Sequence, residues 1–113
     1  MKAEELMIGD WVNKIVAHEI VKDIVGADDL FYGRTVYFKP ILLNPKILLK
    51  NGFKKELDKD GKHSRFILID GHTRFSLLYA KSVFQWLGSL DFKYVHELQH
   101  ALRLCGITKN IIL

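Results

Sequence analysis

Residues 96–100 read His96-Glu97-Leu98-Gln99-His100, which matches the zinc-binding pattern H-E-x-x-H. Residues four apart share a face of a helix, so both imidazoles are placed to bind one metal ion. The intervening Glu97 would then act as general base on a metal-bound water. The pattern predicts a zinc-dependent hydrolase, with His96 and His100 as ligands and Glu97 as the catalytic residue.

The helix that carries this pattern argues against the metal site. At about 100° per residue, with Val95 at zero, the apolar positions centre near 300°. His96 and His100 lie at about 100° and 140°, on the opposite side of the helix. We therefore expect both histidines to face solvent. The apolar positions are Tyr94, Val95, Leu98, Ala101, Leu102 and Cys105.

A third ligand is also missing from the local sequence, although a catalytic zinc takes three protein ligands and a water. None of the thirteen residues after His100 is Asp, Glu or His, and Cys105 belongs to the apolar stripe. We expect no metal, no cofactor and no catalytic activity, and keep the zinc hydrolase as an alternative. An upstream ligand would have to be His18, His63, His72 or Asp70.

The net charge of +4 is concentrated in one segment. Residues 46–65 contain seven basic and three acidic residues, so they carry the whole surplus. Such a segment predicts either a solvated, lysine-rich turn, which we favour, or a contact with phosphates, with nucleic acid bound only weakly. The candidate contacts, including one from the next motif, are Lys50, Lys54, Lys55, Lys59, Lys62, Arg65 and Arg74.

Residues 69–74, Ile-Asp-Gly-His-Thr-Arg, resemble the D-G-H-x-R phosphate-contact motif of the ParB nucleotide-binding fold. The resemblance implies that Gly71 lets the backbone approach a phosphate and that Arg74 pairs with it. The simpler interpretation, which we favour, is a tight Asp70-Gly71 turn with Arg74 on the following strand.

The first part of the chain predicts strands at 11–16 and 19–25, a turn at 26–29, and a third strand at 32–38 that Pro40 ends. Asn44 and Pro45 then predict the start of a short helix, 45–51, with Gly52 just beyond its end.

The second part predicts a hairpin with strands at 53–57 and 64–70 around an Asp60-Gly61 turn. Residues 75–87 fit both a strand and a helix. The last helix is predicted to begin after Asp91, its N-cap, and to end at Gly106.

Three further segments, 1–12, 40–53 and 92–99, resemble a family of small uncharacterised proteins of Bacteroides genomes, phages and mobile elements. That family opens K-A-x-x-L-x-I-G-N-x-V, continues P-I-P-L-T-x-E-W-L-x-K-F-G-F and closes Y-V-H-x-L-Q-N-L-Y-F-A-L-T-G. The resemblance implies a shared fold with strands before the closing helix, which favours strands at 75–87, and implies no activity. The chain departs from the family at His100, where the family has Asn, and at 44–47.

Compartment and membrane class follow from simple features of the chain. No apolar run approaches the roughly 18 residues that cross a bilayer, and the acidic start lacks the apolar region of a secretory signal. The single Cys105 has no internal disulfide partner, which favours a reducing cytoplasm. We expect a cytoplasmic protein without membrane contact, and self-association stays open.

The predicted fold is one α+β domain, 1–113. A β-rich N-terminal sheet or small open barrel precedes a short helix, further antiparallel strands and one C-terminal helix packed on the sheet. The favoured function is a non-catalytic binding module of a bacterial phage or mobile element. Its partner would be an unidentified host protein or a small phosphorylated ligand, with interference with host defence suggested by analogy.

Overall fold

The structure, a computed structural model, describes residues 1–2, 5–57, 59, 61–87 and 90–113. It is an α+β fold with two open antiparallel sheets, of three and five strands, and a C-terminal helix packed on the sheet. The chain divides into two compact units: residues 1–42 with 94–96, and residues 43–93 with 97–113. No helix in the described part of the chain is long and apolar enough to cross a membrane.

The first unit holds the three-stranded sheet, ordered β2-β1-β3. The predicted hairpin of β-branched residues is confirmed, and its tight turn places Ala17 and His18 at positive φ. Val12 on β1 is fully buried and packs in a small core with Leu6, Val25 and Phe38. The elements are β1 (Trp11–Val16), β2 (Glu19–Ile24), α1 (Ala27–Phe31), a 3-10 helix (Arg34–Tyr37) and β3 (Phe38–Lys39).

Residues 26–38 differ from the prediction. The expected turn is the start of α1, and the expected third strand is a 3-10 helix followed by only two strand residues. The physical reason lies in Asp29, which is 8% exposed and accepts a hydrogen bond from the Gly26 N–H at 2.9 Å. This contact closes the first turn of α1, and Gly33, at φ 67°, redirects the chain before the 3-10 helix.

Asp29 also anchors α1 to β1. Its carboxylate lies 2.9 Å from the Lys14 ammonium and 3.9 Å from the Arg34 guanidinium. Burial raises the pKa of Asp29, but the Gly26 hydrogen bond and the charges of Lys14 and Arg34 outweigh it and hold the pKa below its ordinary value.

β2 forms an edge of the three-stranded sheet, and all six of its residues are exposed. Ile20 is 65% exposed and Ile24 46%. Because Val25 donates its N–H to the Asp10 carbonyl on the β1 side, alternation directs the backbone groups of Ile20, Lys22 and Ile24 away from β1.

The second unit holds the five-stranded sheet, ordered β4-β5-β6-β7-β8, in which every neighbouring pair is antiparallel. The two strand segments around the predicted hairpin are confirmed to within one residue, and the ambiguous stretch 75–87 forms strands at 75–80 and 83–86. Gly61 of the predicted turn has φ 67°, and Asp60 lies outside the described residues. The strands are β4 (Lys54–Leu57), β5 (Ser64–Asp70), β6 (Thr73–Ala80), β7 (Val83–Trp86) and β8 (Leu90–Phe92).

Aromatic side chains fill one face of this sheet, which we call the inner face. Phe66 and Phe84 are fully buried at a ring-centroid distance of 5.8 Å, and Trp86 lies between Phe75 at 5.4 Å and Phe92 at 5.8 Å. Since side chains alternate along a strand, the residues between them point to the opposite, outer face.

The C-terminal helix α3 (Val95–Leu104) begins three residues later than predicted. Asp91 is not its N-cap, because residues 90–92 pair with β7 as strand β8. The predicted apolar stripe is confirmed, since Val95, Leu98, Ala101 and Leu102 are buried. Gly106, at φ 73°, ends the helix as predicted.

The middle helix α2 (Pro45–Lys50) follows the predicted rules. The Asn44 side chain accepts the Ile47 N–H at 2.9 Å, and Gly52 has φ 88°. A Cβ at Gly52 would meet only the flexible Lys109 ammonium at 3.5 Å and a Leu68 methyl group at 3.9 Å. The backbone conformation, and not lack of space, is therefore what requires glycine here.

The Asp29 contacts predict an acid-dependent loss of stability. A lowered pKa in the folded state means that the stabilisation is complete above the ordinary value of 3.8 and is lost as pH falls through the folded-state pKa. Asp29→Asn should lower the free energy of unfolding at pH 7 and flatten its decline in acid. Denaturant titrations between pH 7 and pH 2 measure both effects. Asp28→Asn, at an exposed neighbouring position, controls for the loss of one carboxylate.

A second prediction concerns Gly52. Gly52→Ala should lower the free energy of unfolding by about 1 to 2 kcal/mol, because a Cβ strains the left-handed backbone. Gly26→Ala is the matched control, since Gly26 has φ −100° and accepts a side chain without that strain. Equal denaturation midpoints for the two variants would contradict the assignment.

Candidate anion-binding site

The H-E-x-x-H residues occupy the first two turns of α3. The expectation that both histidines face solvent is wrong for His96, which is 7% exposed, and His100 is half-buried. The helical-wheel argument assumed one covered face, whereas Gln99 is buried as well, so α3 is covered around more of its circumference. The His96 ring stacks on Tyr94 at 5.9 Å with an interplanar angle of 8°.

Glu97 has a structural contact at the start of α3. Its carboxylate accepts the Lys93 N–H at 3.0 Å, as capping carboxylates do in the first turn of a helix. The described residues contain no group of three or more His, Cys, Asp or Glu side chains that could hold a metal ion. The third-ligand candidates do not complete a site: His18 and His72 lie exposed in separate hairpin turns.

His100 and Glu97 instead border an open, mostly apolar groove of about 220 Å³ between α3 and the end of the five-stranded sheet. Cys105 is half-buried one residue beyond the end of α3. The rest of the groove is lined by Trp86, Leu90, Phe92, Ala101 and Leu104.

The residues predicted to contact phosphate lie in several different parts of the structure. Lys50 ends α2, and Lys59 and Lys62 lie exposed between β4 and β5. Lys55 pairs with Phe66 and so lies on the inner-face side of the edge strand β4. The outer face receives Lys54, Arg65 and Arg74.

Arg65 and Arg74 border the same concavity on the outer face, with a volume of about 200 Å³. Arg65 pairs directly with Leu78, which lies four residues beyond Arg74 on β6, so about 13 Å of strand separates the two arginines. Ser76 lies between them along β6. The remaining lining residues are Leu78, Gln85, Trp86 and Leu87.

The strand register explains why these residues meet. Arg65, Leu78 and Gln85 form one row across β5, β6 and β7, because Leu78 pairs with both of the others. Leu87 follows β7 at φ 54° and is 75% exposed, so it borders the concavity at its open side.

Two carboxylates lie at the ends of the same row. Glu56 pairs with Arg65, and Asp91 pairs with Gln85. Lys54 adds a positive charge to the outer face through its pairing with Ile67. The outer face thus presents three cationic and two anionic side chains, which suits an anion of modest charge.

The sequence patterns indicated Arg65 and Arg74 separately and missed Ser76, Gln85 and Leu87. The Asp70-Gly71 turn was predicted, and Gly71 is found at φ 60°. Pairing the two predicted strands through that turn would have placed Arg65 and Arg74 on one face, which was the available signal. The ends of β6 and β7 were not predictable from periodicity, so no signal in the sequence indicated Gln85 or Leu87.

Comparison with protein-family models, with curated proteins and with solved structures finds no match to this chain.

The placement of His96, Glu97 and His100 predicts that purified protein carries less than one tightly bound zinc per chain. Elemental analysis after mild chelation measures the zinc content, and thermal denaturation before and after chelation should give the same midpoint. His100→Ala should leave the zinc content unchanged within the precision of the measurement, and the midpoint of this variant should likewise be the same before and after chelation. One zinc per chain, lost together with stability in His100→Ala, would contradict this.

Proposed function

We propose that this protein is a non-catalytic binding module that holds a compact phosphate-containing ligand between Arg65 and Arg74. The observation that carries the proposal is their convergence on one concavity from adjacent strands. In the setting that the resemblance implies, a phage or mobile element, such a module would sequester or sense a small ligand of the host.

Guanidinium chemistry supports an anionic ligand. Arginine stays protonated and presents donors in a planar fork that fits phosphate oxygens in pairs. Arg74 is exposed and Arg65 half-exposed, and the Ser76 hydroxyl between them offers a further donor. A phosphate group above Ser76 would thus meet charged donors from two sides.

The distribution of charge between the two units also favours an anionic ligand for the second unit. Twelve of the seventeen lysines and arginines, but only six of the thirteen acidic residues, fall in the second unit. The second unit therefore carries +6 and the first unit −2. A positive charge on the unit as a whole raises the local concentration of anions and their rate of encounter with it.

The aromatic residues favour a small ligand over nucleic acid. Proteins that read single strands on an open sheet stack bases on exposed aromatic rings. Here the aromatic residues of β4–β8 lie on the inner face by register. Of the described residues that line the concavity, Trp86 alone is aromatic, so the outer face offers no row of rings on which successive bases could stack. Contact of residues 46–65 with nucleic acid would then be non-specific and strongly salt-dependent.

The proposal predicts that phosphate binding depends on both arginines. Arg74→Gln and Arg65→Gln should each weaken the binding of inorganic phosphate by about tenfold, since each loses charge-assisted hydrogen bonds. Glu56→Gln should strengthen it about twofold, because a carboxylate beside Arg65 competes with the anion. Isothermal titration calorimetry at fixed ionic strength measures all four proteins.

Lys55→Gln is the control, because it removes one positive charge from the same basic segment on the other face. It should bind phosphate within about twofold of the wild type. Equal weakening in Lys55→Gln and Arg74→Gln would indicate general charge attraction and overturn the site. Sub-micromolar, Arg74-dependent binding of a single-stranded oligonucleotide at about 150 mM salt would replace the small ligand by nucleic acid.

A further inference from the structure

We infer that the ligand of this concavity is a nucleoside monophosphate, with its phosphate at Arg65 and Arg74 and its base beside Gln85. The inference rests on the proposed function and adds the class of the ligand. It follows from the difference between the two sides of the concavity. The β5 and β6 side carries the two guanidinium groups, and the β7 side carries an amide and apolar side chains.

Gln85 is suited to the edge of a nucleobase. Its amide has donor hydrogens and an acceptor oxygen on one planar group, which matches the adjacent donor and acceptor atoms of a base. It is half-buried and lies one strand further from the arginines than Leu78, with which it pairs. A ligand that spans from Arg65 to Gln85 therefore passes over Leu78.

Leu78 and Leu87 select among phosphorylated compounds. A base has apolar faces that pack against leucine, whereas a sugar phosphate would place hydroxyl groups there and leave them without hydrogen bonds. Leu87 is 75% exposed, so contact with a base would remove apolar surface from water. The β7 side thus favours a base over a polyol.

The carboxylates and the volume limit the ligand to one phosphate and one nucleoside. Glu56 and Asp91, at the ends of the row, would repel the further charges of a triphosphate. The volume of about 200 Å³ lies below the roughly 300 to 1,000 Å³ of pockets that enclose drug-sized ligands. A mononucleotide would be partly exposed, and a dinucleotide would extend beyond the site.

The test compares five probes by isothermal titration calorimetry: adenosine and uridine 5′-monophosphates, adenosine triphosphate, ribose 5-phosphate and inorganic phosphate. At least one monophosphate should bind about tenfold more tightly than ribose 5-phosphate and inorganic phosphate, and the triphosphate should bind no more tightly than its monophosphate. Gln85→Leu should weaken monophosphate binding about fivefold and leave inorganic phosphate unchanged.

The outcomes separate this inference from the proposed function. If all five probes bind with similar affinity and Arg74→Gln weakens all of them, the site binds phosphate but the nucleotide assignment is wrong. If affinity rises with the number of phosphates, the argument from Glu56 and Asp91 is wrong and the monophosphate is excluded. If Arg74→Gln changes no affinity, the proposed function fails first. Inorganic phosphate binding to Gln85→Leu verifies that this variant keeps the folded site.

Discussion

The aromatic layer on the inner face of the five-stranded sheet is the constraint on which the second unit depends. Phe66, Phe75 and Phe84 are buried on three adjacent strands, and a slip of one residue in any strand would move its aromatic ring to the outer face. The same slip would turn Arg65 or Arg74 into the core without a partner. Packing of the inner face therefore sets the positions of the polar side chains on the outer face, and the concavity follows from a register that hydrophobic burial selects.

Local rules predicted the elements whose stability is local. The hairpin of β1 and β2, the capped helix α2 and the alternating strand β5 need only β-branched residues, Asn44-Pro45 and a period of two. The segment 26–38 was missed because it depends on a distant residue, Lys14, which neutralises the buried Asp29. The prediction of Asp91 as the N-cap of α3 was wrong for a similar reason. This residue has the type of an N-cap, but pairing with β7 is a tertiary contact that no propensity reports.

The candidate site shows the same division. Arg65 and Arg74 stood out by charge and motif, but their meeting depends on strand pairing across nine residues of sequence. The H-E-x-x-H pattern was the most specific match of letters in the chain, yet spacing alone does not report burial or the contacts of Glu97 with the Lys93 backbone. Spacing on one element predicts which residues share a face, whereas a site also needs the elements around it.

The exposed edge strand β2 bears on how copies of this chain meet one another. If two copies paired their β2 edges in antiparallel orientation, the residues whose backbone groups point outward in one copy would lie opposite the outward-pointing residues of the other. If the two-fold axis that relates the two copies passes through Lys22, the two Lys22 ammonium groups lie directly opposite each other. If it passes through Asp23, the two Asp23 carboxylates do, and if it passes through Val21, Glu19 of each copy lies opposite Asp23 of the other. Like charges in direct opposition destabilise a strand pair. The Asp23 carboxylate also accepts the outward Ile24 N–H at 2.8 Å. The order of charges along β2 thus disfavours these three registers of edge-to-edge pairing.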